Sequence, residues 1–85
     1  MDTAEVIEQV KSIGGIEGVY EVHRFDGTRN GLGVTVELSD GGPNYPIQEA
    51  RFACKVIQED QKTAAGNPAQ NPRNALLNVH WNELD

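Results

Sequence analysis

The sequence is poor in cysteine, in basic residues and in long apolar runs. Its single cysteine, Cys54, excludes an intrachain disulfide and a zinc site built from several cysteines. Seven Lys and Arg stand against 13 Asp and Glu, so a net charge of -6 disfavours long-range attraction to nucleic acids and anionic membranes. No apolar run approaches the roughly 18 residues that cross a bilayer. We therefore expect no membrane contact, and a protein with a basic surface as the partner.

The length of 85 residues, with 38% apolar and 24% charged residues, is typical of one small globular domain spanning residues 1–85. The first stretch, "MDTAEVIEQVKS", is acidic where a secretory signal would be basic and then apolar. We therefore expect a cytoplasmic protein, and Cys54 suits that reducing compartment as a small buried side chain.

The N-terminal segment carries the signals of a helix start. Asp2 is a suitable N-cap, Glu5 completes a capping box, and Met1 is placed to pack on Val6. The pair Gly14-Gly15 predicts the end of this helix. The apolar positions that share one face are Val6, Ile7, Val10 and Ile13.

The middle of the chain alternates in polarity, as strands do. "GVYEVHRFD" and "LGVTVELSD" flank the turn-forming stretch "DGTRNG", which predicts two antiparallel strands joined by a hairpin loop. Residues 47–65 fit a strand or a helix almost equally well. We favour the strand, because a lone hairpin is marginally stable and a helix would leave Phe52 and Val56 on its polar side.

Asn71-Pro72 predicts the start of a closing helix, with an N-cap followed by proline at the first helical position. Its expected apolar face consists of Leu76, Leu77, His80, Trp81 and Leu84, with His80 buried. The predicted fold is α+β, a three-stranded antiparallel sheet packed against two helices in the order α-β-β-β-α. The alternative order is α-β-β-α-α, with residues 47–65 helical.

This order, together with the closing stretch "RFACKVIQEDQKTAAGNPAQNPRNALLNVHWNEL", resembles the double-stranded-RNA-binding domains. The resemblance implies a three-stranded sheet packed on two helices, and it makes a nucleic-acid-binding module an alternative function. In that family a Lys-rich cluster at the start of the closing helix grips phosphates, whereas the first helix enters a minor groove. In this sequence the cluster is reduced to Arg73, with Asn67, Asn71 and Asn74 around it.

The hairpin stretch "DGTRNGLGVTVE" also has the ligand spacing of an EF-hand calcium loop. The oxygen-bearing side chains at the matching positions are Asp26, Thr28, Asn30 and Glu37. An EF-hand needs a helix after its loop, and "GVTVEL" has the alternation of a strand. A plain hairpin turn is therefore the preferred interpretation, and a calcium-binding loop at residues 26–37 is a second alternative.

No constellation of residues in the sequence predicts catalysis. Neither His23 nor His80 is placed by a motif beside Cys54, and no phosphate-cradling glycine motif is present. We therefore predict no enzyme activity and no cofactor, but a small acidic binding or regulatory module of the inhibitor or adaptor kind. The candidate partner-binding residues are Glu5, Glu8, Arg73, Asn74, Asn78 and Asn82. The sequence leaves the oligomeric state open.

Overall fold

A computed structural model describes residues 2–85, which form a helix, an antiparallel sheet of four strands and a second helix. The elements are α1 (Thr3–Gly14), β1 (Glu21–Arg29), β2 (Leu32–Asp40), β3 (Phe52–Gln58), β4 (Thr63–Ala65) and α2 (Pro72–Leu77). A first 3₁₀ helix, Gln48–Ala50, precedes β3, and a second, Trp81–Leu84, follows α2. The α+β class and the order of helix, strands and helix are confirmed in this outline.

The sheet has four strands in the order β1-β2-β3-β4, where the sequence analysis predicted three. The additional strand is β4, which pairs Ala64 with Val56 of β3. Three residues are too few to display an alternation of polarity, so the sequence pattern did not reveal this strand. The interpretation of residues 47–65 as a strand is confirmed for Phe52–Gln58, and their helical alternative is wrong.

The core lies on one face of the sheet. Val36 opposes Val56, and Leu38 opposes Cys54, in the register between β2 and β3. Val56 is completely buried, with an exposed fraction of 0%. The residues that cover this face from α2 and the following segment are Ala75, Val79 and Leu84. Cys54 is buried there, as its sequence context predicted.

The closing helix begins as predicted but ends early. The Asn71 side chain accepts a hydrogen bond from the backbone N–H of Asn74 at 2.8 Å, and Pro72 follows the cap. The helix ends at Leu77, because the next residues bond to β4 and its flank instead of continuing the helical ladder. The His80 N–H donates to the Ala65 carbonyl at 3.1 Å. The prediction of a buried His80 was wrong, since this residue is exposed.

Helix α1 is capped as predicted, but it does not pack against the sheet. Asp2 accepts a hydrogen bond from the Ala4 N–H at 3.1 Å, and Gly15 ends the helix with a φ of 64°. None of its residues is buried, so the predicted packing of both helices on the sheet was wrong for α1. The radius of gyration is 14.6 Å, whereas a compact chain of this length has roughly 12 Å. The expected contact of Met1 with Val6 lies outside the described residues.

The close approach between β4 and the end of α2 requires glycine at position 66. A Cβ atom on Gly66 would overlap the carbonyl group of Asn78. Both partners of this contact are backbone, which cannot yield as a flexible side chain would.

We expect Gly66→Ala to lower the free energy of unfolding by at least about 2 kcal/mol, because the cover of the core would have to move away from β4. Gly27→Ala is the matched control, since a Cβ atom there would meet nothing within 4 Å. Urea unfolding of both variants measures the difference. Equal stability of the two variants would contradict the proposed close packing.

Candidate functional site

The most prominent exposed apolar feature lies on α1. We call it the α1 surface and define it by Val6, Val10, Ile13 and Ile16. Ile13 is 84% exposed and Ile16 is 51% exposed. A shallow groove of about 340 Å³ runs between these side chains and Gln9. Contiguous exposed apolar surface of this kind marks interaction sites more often than isolated apolar residues do.

The segment after α1 extends this surface and does not cover it. Gly15 and Gly18 both have positive φ, 64° and 65°, which only glycine adopts readily. The chain therefore turns back on itself after the helix, and a Cβ atom at Gly14 would lie 3.2 Å from the Ile16 side chain. Ile16 thus joins the apolar stripe of the helix. The sequence analysis found the stripe but assigned it to the core.

Helix α1 also carries exposed carboxylates. Glu5 and Glu8 are exposed on the helix, together with Asp2 at its start. Lys11, the basic residue of this helix, lies 3.8 Å from Glu8. The helix that bears the apolar stripe is therefore negatively charged, and the predicted site residues Glu5 and Glu8 contribute to this charge.

A second concavity, of about 500 Å³, lies where the segment before β1 meets the loop before β3. Tyr20 and Tyr45 form part of its wall, and Arg51 contributes the charged group. Arg51 donates from Nε to Asp40 Oδ1 at 2.6 Å and from Nη2 to Oδ2 at 3.1 Å. This hydrogen bonding holds the pKa of Asp40 below its usual range. The charges of this concavity already satisfy each other, so the pair acts as a structural link.

The candidate partner-binding residues Asn74, Asn78 and Asn82 lie in different parts of the fold. Asn74 lies exposed on α2, Asn78 follows the last helical residue, and Asn82 belongs to the second 3₁₀ helix. The Asn78 side chain donates to the Asn67 carbonyl at 3.0 Å and so links the end of α2 to the preceding loop. Because the helix ends at Leu77, the three amides do not share one helical face. Arg73 is exposed on the first turn of α2.

The proposed calcium ligands lie on the β1-β2 hairpin. Asn30 and Gly31 form its two-residue turn with φ values of 52° and 80°. The Asp26 carboxylate accepts from Thr35 Oγ1 at 2.7 Å, which lowers its pKa, and Glu37 opposes Arg24 in the register. Thr28 precedes the turn on β1. These ligands therefore do not form the helix-loop-helix of an EF-hand, and the described residues contain no group of three or more His, Cys, Asp or Glu that could hold a metal ion.

The side chains that could act as nucleophile or base are Cys54, His23 and His80, and they lie in different environments. Burial raises the pKa of the Cys54 thiol, which keeps it protonated at neutral pH. His23 lies on β1 with its Nε2 atom 2.8 Å from the Glu21 carboxylate. His80 is exposed beyond α2. The structure therefore places no activated nucleophile among the described residues.

Comparisons with known proteins provide no relative from which a function could be transferred. No protein-family model, curated protein or solved structure matches this chain significantly. Within residues 2–85, none of the helices has the length and apolar character needed to cross a membrane. The arguments about function therefore depend on the surfaces described above.

The pair of Asp40 and Arg51 should make stability depend on pH. The side chain of an aspartate in an unfolded chain has a pKa of about 3.9. Because the fold lowers the pKa of Asp40, its stabilising contribution is present above that pH and is lost as pH falls through the lower folded-state pKa. We expect Asp40→Asn to remove part of the loss of stability between about pH 4 and pH 2.

Urea unfolding at a series of pH values measures this effect. Arg51→Gln should remove the same part, because the hydrogen bond from Arg51 is the largest cause of the lowered pKa. Glu49→Gln, at an exposed position close by, serves as the control. Parallel pH profiles for wild type and Asp40→Asn would contradict the assignment.

Proposed function

We propose that this protein is a non-catalytic binding module, of the inhibitor or adaptor kind, whose α1 surface docks into an apolar groove of another protein. The observation that carries the proposal is the exposure of the apolar stripe on α1. In a chain of this size an amphipathic helix normally buries its apolar face on the core. Here the core face of the sheet is covered by α2 and the second 3₁₀ helix instead.

The chemistry of the partner follows from the apolar stripe and from the charge of its helix. Docking would bury Ile13 and Ile16, and full burial of one such side chain contributes about 1.5–3 kcal/mol. The exposed carboxylates of Asp2, Glu5 and Glu8 favour a partner with lysine or arginine near its groove. Opposite charges would raise the association rate, and carboxylates facing a basic rim would select against acidic partners.

Docking would also stabilise α1 itself. An isolated helix shorter than roughly 12–15 residues is marginal in water, and α1 has 12 residues with no buried side chain. A partner groove would supply the tertiary contacts that the sheet does not provide. Helix α1 would thus gain its stabilising contacts on binding, as is common when a helix binds in a groove.

The nucleic-acid alternative has less support from the surface charges. The double-stranded-RNA-binding domains place their first helix in a minor groove. Here the first helix carries the exposed carboxylates of Glu5 and Glu8, which phosphates would repel. Arg73 is exposed on α2, but it is the single basic residue of that helix.

Quantitative affinity capture from host lysate, after nuclease treatment, tests the proposal. We expect wild-type bait to retain a protein partner, and Ile13→Ser and the pair Glu5→Lys with Glu8→Lys each to reduce its recovery about tenfold or more. Raising the salt concentration should weaken capture, because the carboxylates of α1 are exposed and salt screens their charge.

Leu77→Ser is the matched control, since Leu77 is an apolar residue of α2 that is 64% exposed. It makes the same chemical change away from the α1 surface and should leave capture intact. Circular dichroism verifies that the variants fold. A partner recovered equally with Ile13→Ser, or a partner lost on nuclease treatment, would overturn the proposal.

A further inference from the structure

Strand β1 is an edge strand with an unpaired side. Its residues Val22 to Thr28 are all exposed, and no described helix or strand lies along this edge. An edge strand of this length presents a row of backbone N–H and C=O groups that can pair with another strand. The kind of strand that can pair with this edge depends on which backbone groups point outward and on which side chains lie beside them.

The hydrogen-bonding pattern of the hairpin fixes which groups point outward. The two-residue turn makes Arg29 and Leu32 a hydrogen-bonded pair, so the odd-numbered residues of β1 direct their backbone groups to β2. The other side of β2 agrees, since Gly33 accepts from the Glu59 N–H at 2.9 Å and the Gly41 N–H donates to Arg51 at 2.8 Å. The residues with outward backbone groups are therefore Val22, Arg24, Asp26 and Thr28.

We propose that β1 pairs with β1 of a second copy of this chain, antiparallel, about a two-fold axis at Phe25. In this register Arg24 opposes Asp26 of the second copy, and Val22 opposes Thr28 of the second copy. Each of these residues would donate and accept one backbone hydrogen bond. The two sheets of four strands would form one continuous sheet.

Charge complementarity supports this register. Within one chain Arg24 donates from Nε to Asp26 Oδ1 at 3.3 Å, and the two side chains remain 67% and 62% exposed on the same face of β1, so both are accessible to the second copy. By symmetry, the axis produces two pairs of Arg24 with Asp26. Within the chain Arg24 opposes Glu37, and Glu37 opposes Lys55. Addition of Asp26 from the second copy extends a row in which positive and negative charges alternate across the strands.

A second charged pair lies at the ends of the paired strands. The same register places Glu21 opposite Arg29 of the second copy. Within its own chain Arg29 donates from Nη1 to Asp85 at 2.7 Å, and the Glu21 carboxylate lies 2.8 Å from His23 Nε2. A guanidinium group has five N–H donors, so Arg29 can bind both carboxylates.

The other face of the sheet is complementary in its apolar residues. Phe25 opposes Val36, which opposes Val56 in the core. Phe25 is 58% exposed in the single chain. On the axis the two Phe25 side chains would form a close cross-strand aromatic pair, because non-hydrogen-bonded pairs bring side chains nearest to each other. The apolar row would then run without interruption through both copies.

The other registers are less favourable. Any other register must keep the residues with outward backbone groups opposite one another, because these residues form the hydrogen-bonded pairs. An axis at Arg24 places the two Arg24 side chains opposite each other, and an axis at Asp26 does the same with two carboxylates. Axes at His23 or Gly27 leave Arg24 and Asp26 opposite uncharged residues. The register centred on Phe25 is the one that pairs opposite charges.

Cysteine cross-linking of the full chain tests the register. In Phe25→Cys the two new thiols would lie on the axis, with Cα atoms about 4.5–5.5 Å apart, which suits a disulfide. In the control His23→Cys the corresponding separation is about 14 Å, because the two thiols are offset by four residue positions along the strands. Under mild oxidation we expect a covalent dimer from Phe25→Cys only. Wild type should remain uncross-linked, since Cys54 is 5% exposed.

Charge reversal with sedimentation analysis tests the interaction without a new covalent bond. At about 0.15 M ionic strength, where long-range repulsion between the acidic copies is screened, wild type should dimerise as its concentration rises. Arg24→Asp or Asp26→Arg alone should raise the dissociation constant about tenfold, because like charges would oppose each other. The double variant Arg24→Asp with Asp26→Arg should restore dimerisation.

A wild-type chain that stays monomeric at all concentrations, with no cross-link from Phe25→Cys, would overturn the proposal. Cross-linking of His23→Cys as efficient as that of Phe25→Cys, or a double variant no better than the single ones, would overturn the register. Leu77→Ser should leave dimerisation unchanged, because it lies on α2, away from β1. An effect of Ile13→Ser on dimerisation equal to that of Arg24→Asp would assign the contact to α1 instead.

Discussion

The burial of one face of the sheet is the constraint on which the rest of this structure depends. Val56 is completely buried at its centre. The cover comes from α2 and the second 3₁₀ helix, which pack on β3 and β4. This cover does not reach β1, whose residues between its two ends are exposed. The cover is small, and α1 does not extend it because this helix stands away from the sheet. The apolar face of α1 and the edge strand β1 therefore both remain exposed.

The cover is anchored by backbone contacts in addition to its apolar side chains. Gly66 allows the end of α2 to approach β4 closely. His80 then donates its N–H to Ala65, and Asn78 donates its side-chain amide to Asn67. The bond from His80 replaces a helical hydrogen bond that a longer α2 would have made. The same contact that anchors the cover thus interrupts the helix, so Asn74, Asn78 and Asn82 do not share one helical face.

The two proposed surfaces use different physical interactions. The α1 surface offers apolar side chains on an acidic helix, so its recognition depends on groove shape and charge. The edge of β1 offers backbone groups, with specificity from the order of Arg24, Phe25 and Asp26. A dimer formed through β1 would present two α1 surfaces at once. If a partner is itself repeated or multimeric, both copies would then contribute to binding, and the overall affinity would exceed that of one α1 surface.

The sequence by itself determined the local features of the protein. Asp2 and Asn71 cap their helices, "RNGL" forms the hairpin turn, and the alternation of β2 predicts which of its residues face the core, because these features depend on neighbouring residues. Tertiary structure decided the rest. Whether the apolar stripe of α1 is buried or exposed depends on which segment covers the sheet. Strand β4 forms because β3 offers it a hydrogen-bonding edge. The end of α2 was decided by its contact with Gly66. Contacts between residues distant in sequence leave no periodic pattern from which they could be predicted.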